Sequence, residues 1–328
     1  MSTANTHTDS SPNEPINRSL VYISLGLALL LVIGVLAGSK FVLSRTAQQP
    51  VTLSPLPAPM ADSPECAALV DQLPEKLVGH KRTPLADPAP AGAAVWQSST
   101  TERVTLRCGV DMPLQYTELT PTFTAAGAEW IKVTDPTGTG LATWFTVDRS
   151  PVIAVTAESD ALGRNDNPVE GLNLGAAKGD AATPVRAPLA ALGDAPEFSS
   201  HACNAFMAAL PEELTEGYTP IEVGDVQGYP KDRTKVWGGD GLEPIVVRCG
   251  VKQPDSYAPG AVLTQVNEIP WFEDGAAAED PETSGGLATT LYALGREANV
   301  AISLPAGLGD EALNTVSAVI TSHVPERK

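Results

Sequence analysis

Four cysteines carry the most obvious chemistry in this chain. Closely spaced thiols bind zinc, C-x-x-C pairs shuttle electrons, and widely separated pairs close disulfides. Here Cys108 and Cys249 occupy the same four letters, Arg-Cys-Gly-Val, at 107–110 and again at 248–251. Cys66 and Cys203 stand well upstream of them. Arg107 and Arg248 add a second possibility, since a guanidinium can clamp a carboxylate or phosphate through two parallel hydrogen bonds. Trp96 and Trp237 each lie twelve residues before the second cysteine of their copy, where their rings could line a ligand groove. Internal ion pairing and core packing are the competing roles for these four residues.

Spacing sorts the remaining possibilities. The chain has no C-x-x-C, and its four histidines (His7, His80, His201 and His323) do not fall at equivalent places in the two copies. Neither a redox pair, a zinc site nor a shared histidine base is therefore expected. No G-x-S-x-G, S-x-x-K, H-E-x-x-H or phosphate-loop pattern occurs. GTGLAT at 138–143 and SGGLAT at 284–289 read as turns, because no convincing helix follows either. Glu75 and Glu212 follow a repeated Leu-Pro and read as surface or arginine-pairing carboxylates. We expect no catalytic residue, no metal and no cofactor.

The elements that position these residues come in two copies. Cys66 and Cys203 each lie seven residues before a Leu-Pro-Glu, and Pro113 and Pro254 each follow the second cysteine by five. Trp130 and Trp271 follow it by twenty-two, and Arg149 and Arg296 precede an apolar run. So many anchors in one order mark a duplicated unit. Ser63-Pro64-Glu65 reads as a helix start, with Ser200 as its counterpart. Cys66, Leu69, Val70 and Leu73 then share one helical face, as do Cys203, Phe206, Met207 and Leu210. The β-branched letters before each RCGV predict a strand broken at Gly109 or Gly250. Further strands are expected at 129–133, 143–147 and 152–156, and at 289–294, 300–304 and around Trp271. A closing helix is expected over 310–323 behind Asp310, whereas the first copy shows no obvious counterpart. The fold class is α+β: two tandem, small, disulfide-stapled domains, each a helix and an antiparallel sheet with a closing helix.

Four cysteines allow three pairings, and the repeat selects one. A unit that once stood alone must pair its own cysteines, giving Cys66–Cys108 and Cys203–Cys249. Each closes a loop of a little over forty residues, a constraint worth roughly 4 kcal/mol on chain entropy alone.

Residues 20–36 are the most apolar stretch, and about twenty residues pass without a charge before Lys40. The run is too long for the core of a cleaved signal and reads as a transmembrane signal anchor. Lys40 and Arg45 follow it while only Arg18 precedes it, so the basic residues alone would place the wrong end outside. The paired cysteines favour an oxidising compartment and decide for export. The reading by segments is a cytoplasmic tail at 1–19, the anchor at 20–40 and a Pro-rich stalk at 41–62. Repeat domain 1 follows at 63–175, a linker at 176–198 and repeat domain 2 at 199–328. Of 21 basic and 39 acidic residues, three and two precede residue 46, leaving 18 against 37 and a net of −19 beyond it. Such a surface repels nucleic acid and anionic lipid heads.

The pattern Cys-x6-Leu-Pro, then Trp237-Gly238, Arg248-Cys249-Gly250-Val251 and Pro254, resembles an uncharacterised actinobacterial family of single-span membrane or secreted proteins, a domain of unknown function. The first copy departs at Gln97, which replaces the glycine after Trp96. The resemblance covers roughly 63–157 and 200–324 and implies a cell-envelope protein with extracytoplasmic domains, without implying an activity. The resulting expectation is a membrane-anchored, non-catalytic binding module with an envelope protein or glycan as partner. Two rivals remain open: an envelope hydrolase with convergent carboxylates between the domains, and a small-molecule or glycan sensor using Trp96, Trp237, Arg107 and Arg248.

Overall fold

The structure is a computed structural model that describes residues 18–46, 49–174, 179–275, 288–308 and 310–327. The side chains of Arg18, Lys40 and Arg45, the residues before 18 and the start of SGGLAT lie outside what it describes. The chain divides into two compact units, residues 1–49 and 50–328.

Among the described residues the first unit holds one helix, α1 (Arg18–Thr46). Its stretch Val21–Ser39 is long and apolar enough to cross a membrane, and none of it is buried against protein. An all-round apolar helix without protein cover is at home in lipid.

The second unit holds both repeats. Domain 1 begins with α2 (Pro64–Gln72), where the Ser63 hydroxyl accepts from the Cys66 amide and Pro64 takes the first turn. Eight strands follow: β1 (Lys76–Leu77), β2 (His80–Thr83), β3 (Ala93–Gln97), β4 (Arg103–Cys108), β5 (Phe123–Ala125), β6 (Ala128–Thr134), β7 (Leu141–Thr146) and β8 (Ile153–Glu158). The four-residue α3 (Ser159–Leu162) and a 3-10 turn at Val169–Gly171 end the copy, standing where a closing helix is missing from the sequence pattern. Domain 2 runs α4 (Ser200–Ala209), β9 (Thr219–Pro220), β10 (Thr234–Gly238), β11 (Ile245–Cys249), β12 (Thr264–Val266), β13 (Ile269–Glu273), β14 (Thr289–Ala293), β15 (Val300–Leu304) and α5 (Glu311–His323).

Both sheets are antiparallel and share one plan. The first is ordered β1-β2-β3-β4-β8-β7-β6-β5, the second β9-β10-β11-β15-β14-β13-β12. Registers superpose the copies residue by residue: Trp96 opposes Val104 as Trp237 opposes Ile245, and Cys108 opposes Ile153 as Cys249 opposes Val300. On one face of each sheet, hereafter the cystine face, the first helix and the tryptophans make the main core. The α+β architecture expected from the repeat is thus the architecture observed.

Four local expectations need correction. The cap of α4 is Ser199, whose hydroxyl accepts from the Ala202 amide, one residue before the expected Ser200. Asp310 does not cap α5 with its side chain; only its carbonyl is used, by Asn314. The expected stalk is docked from residue 50 onward. Val51 is buried and bridges Leu85, and the Met60 amide donates to the Gly109 carbonyl at 3.1 Å. The described part of the expected linker is docked as well: Ala187 and Leu189 are buried, and the Ala195 amide donates to the Gly250 carbonyl at 2.9 Å. Both segments are the same structural piece, a lead-in that crosses the far face of its own sheet before the first helix. Apolar residues among the prolines hold it there, against what composition alone suggests.

Candidate functional site

The RCGV motif sits where β4 and β11 meet their lead-ins. The cysteines pair within each copy, Cys66 with Cys108 and Cys203 with Cys249, at Cα separations of 5.5 and 5.7 Å. The helix presents one cysteine to the cystine face and the strand presents the other, so a single bond staples helix to sheet. Gly109 and Gly250 then turn at φ +81 and +77, in the left-handed region that glycine tolerates best. A side chain at Gly109 would meet the Met60 backbone at 2.3 Å, and one at Gly250 would press on Arg233 and Phe198. Glycine is required here because the lead-in passes directly over it.

The arginine holds that lead-in. Arg107 donates to the Ser54 carbonyl at 2.6 Å, and Arg248 donates to the Leu189 carbonyl at 2.9 Å. Arg248 also meets Asp194 at 2.7 Å, and Asp194 in turn pairs with Arg233 at 2.9 Å. Hydrogen bonds from Arg233, with Arg248 adding to them, keep the Asp194 carboxyl below its ordinary range despite some burial. Both motif arginines thus tie down a lead-in carbonyl, and Arg248 also holds the Asp194 carboxylate.

The tryptophans are spent too, which corrects the groove expectation. Trp96 and Trp237 are fully buried, and their indole N–H groups donate to the carbonyls of Pro74 and Pro211, at 2.8 and 3.2 Å. These carbonyls belong to the repeated Leu-Pro, which the helix end leaves without an internal partner. Arg149 and Arg296, both buried, repeat the theme. Each reaches the turn before its tryptophan strand, at Gly127 or Glu268, and the closing segment, at Leu174 or Val324. Glu212 stands 3.9 Å from Lys235, which itself lies over the Trp237 ring.

Where the domains meet, the β10–β11 turn of domain 2 seats on β6. Thr134 donates its amide to the Gly241 carbonyl at 2.8 Å and its hydroxyl to the Asp240 carbonyl at 3.0 Å, while Lys132 pairs with the Asp240 carboxylate. A cleft of about 280 Å³ between the domains is lined by Glu118, Leu119 and residues 221–226. Of its carboxylates, Glu118 accepts from the Ala187 amide at 3.0 Å. Asp225 pairs with Lys231, whose hydrogen bond lowers its pKa. Glu222 is the third carboxylate of the lining.

The equivalent turn of domain 1, between β3 and β4, has no hydrogen bond or ion pair to domain 2 among the described residues and lines a separate pocket of about 140 Å³. Its walls are Thr100, Thr101, Arg103 and Thr105 from the turn and β4, with Leu141 of β7 and Thr156 and Glu158 of β8. Thr105 opposes Thr156, and Thr156 opposes Thr143, so three hydroxyls cross the far face in a row. The Nε of Arg103 is buried with no hydrogen-bond partner. Sequence reading missed this cluster because it attended to positions the copies share. The signal lay in the positions they do not share: register places Arg103, Thr105 and Glu158 where domain 2 has Pro244, Val246 and Pro305.

A family model described as "Protein of unknown function (DUF3515)" matches the chain twice, over residues 25–181 and 172–328. No curated protein matches it.

Proposed function

The chain belongs to this family of proteins of unknown function, in two tandem copies, and from that premise we propose that it is a membrane-anchored, extracytoplasmic, non-catalytic binding module of an actinobacterial cell envelope. Location rests on two features: an apolar helix of spanning length near the N-terminus, and a cystine in each following domain. In this reading residues 1–19 are cytoplasmic and both domains lie outside. The non-catalytic reading rests on one observation. The residues repeated for their chemistry, the RCGV cysteines and arginines and the paired tryptophans, are committed to the fold. What stays open is the polar far face of domain 1, a surface suited to contact rather than to bond breaking.

External protease applied to intact cells should degrade both domains and leave a short protected N-terminal fragment; full protection would sink the topology. The purified chain should co-sediment with isolated envelope polymer without releasing soluble fragments. Release that disappears in Glu118→Gln would instead favour the hydrolase reading at the interdomain cleft.

A further inference from the structure

Duplication supplies an internal control for every surface of this molecule. The copies have sheet plans of one order and β3–β4 and β10–β11 turns of one length, so residues around these turns compare one to one. In domain 2 the turn carries Gly241 and Leu242, is followed by Pro244 and Val246, and is used up by docking onto β6. In domain 1 the same places hold Thr100, Thr101, Arg103 and Thr105 around an open pocket. The buried Arg103 Nε lacks an acceptor, and such a donor costs on the order of 1–3 kcal/mol.

The Arg103 side chain makes no hydrogen bond or ion pair among the described residues. This is a notable state in a chain with 39 acidic residues against 21 basic ones. Its neighbour across the strands is Glu158: Val104 opposes Ala157, so the next positions face each other. Both line the pocket, yet they do not meet as an ion pair. Space for a small group therefore remains between a cation and an anion, walled by threonine hydroxyls and the exposed edge of Leu141.

We propose that this pocket binds a hydroxylated oxyanion, the sugar-acid or sugar-phosphate end of a glycan. Arg103 takes the carboxylate or phosphate oxygens. The hydroxyls of Thr100 and Thr101 donate to oxyanion and ring oxygens. Those of Thr105 and Thr156, which already bond the Thr156 carbonyl and Thr143, accept from sugar hydroxyls. Glu158 also accepts while repelling bare polyanions. Leu141 offers an apolar contact to the C–H face of the ring. At about 140 Å³ the pocket holds one terminal unit, not a polymer. The assignment rests on the binding-module reading and names its ligand class.

The test is calorimetric titration of the full chain in non-ionic detergent at fixed ionic strength. The probes are glucuronate, glucose 6-phosphate, glucose and inorganic phosphate. Saturable binding of glucuronate or glucose 6-phosphate is expected, with whichever binds naming the acid, and glucose and inorganic phosphate at least ten-fold weaker. Arg103→Gln should lose at least ten-fold in affinity, about 1.4 kcal/mol. Thr105→Val, which installs the residue of domain 2, should weaken binding several-fold with an unchanged melting temperature. Equal binding of glucose, equal binding by Arg103→Gln, or no saturable heat from either sugar anion overturns the proposal. None of those results touches the module reading, which stands or falls on the protease and sedimentation outcomes.

Discussion

In domain 2 the cystine face of the sheet is closed by the 13-residue α5, and the Trp271 indole donates to Ser317 on that helix at 2.9 Å. In domain 1 the equivalent Trp130 donates back to Ala125 in its own hairpin, and the closing helix has shrunk to four residues. Trp144 occupies the place of Leu291 there, fully buried, with the Lys132 ammonium over its ring. Ala161, Val169, Leu172 and Leu174 complete the cover. A large ring and an irregular segment thus replace a helix over the same sheet.

The far faces differ more. Val236, Val246, Phe272, Tyr292 and Ala301 of domain 2 form a second core, packed by Leu189 and Leu192 of the lead-in and Leu119 of domain 1. The far face of domain 1 has a small cluster around Tyr116, Ile131 and Val147, buried Val95, Gln97 and Ala154 on β3 and β8, and a part-exposed row of threonines at 105, 156 and 143. Both sheets are packed on two faces, but the second core of domain 2 is larger than the far-face cluster of domain 1.

The sharpest way to break this comparison is to remove each staple in turn. Each bridge spans a separation of 42 or 46 residues and should contribute roughly 4 kcal/mol. Cys66→Ala with Cys108→Ala should unfold domain 1, read as lost near-ultraviolet circular dichroism from its three tryptophans. Cys203→Ala with Cys249→Ala should leave domain 2 folded but weaker, with a cooperative urea transition at lower denaturant. Equal collapse of both would refute the two-core account.

The motif arginines come next. Arg248 is almost fully buried and serves both Leu189 and Asp194, so Arg248→Ala should cost about 3 kcal/mol. Arg107, half-buried with one carbonyl partner, should cost about 1 kcal/mol when changed to Ala. Urea unfolding of the two variants checks the ratio.

A smaller effect belongs to Asp194. Its folded pKa is depressed, so its contribution is present above the ordinary carboxylate range and lost as pH falls through the folded value. Nearly half its side chain is exposed, so the contribution stays below about 1 kcal/mol. Asp194→Asn should remove that acid dependence from the melting curve of domain 2 and leave domain 1 unaffected.

The smallest effect is expected where the registers align Tyr218 with His80. His80 bonds through both ring nitrogens, to Ser98 and to Ala161, while the buried Tyr218 hydroxyl has no partner. Burial, with the Glu243 carboxylate adding to it, pushes the Tyr218 phenol up to about 12. Tyr218→Phe should be neutral or slightly stabilising at pH 7. The wild type should lose stability as pH rises from the ordinary phenol value near 10. The variant should lose less, as followed by thermal melts between pH 9 and pH 12.

Much of the fold was legible because the copies repeat what the core demands. The spacings from cysteine to Leu-Pro and from tryptophan to cysteine located both helices, the central strands and the pairing of the cystines. The lead-ins were not legible. Their partners are main-chain carbonyls at Ser54 and Leu189, and a carbonyl leaves no signature in the letters. The indole groups misled for the same reason, since Trp96 and Trp237 find their acceptors on Pro74 and Pro211. The candidate pocket was written in the sequence, but as a difference between copies, and register was needed to align Arg103 with Pro244.

The sequence by itself determined the duplicated α+β unit, the within-copy cystines, the apolar span and the acidic surface. Each is set by periodicity, spacing or composition along the chain. Only the tertiary structure decided what RCGV does beyond its cysteine: the glycine makes room for the lead-in, and the arginine ties it down. Only the tertiary structure separated the far face that carries a large second core from the one that keeps a part-exposed threonine row. Both outcomes depend on which backbone carbonyls and sheet faces folding brings together, and distance in space is not encoded in distance along the chain.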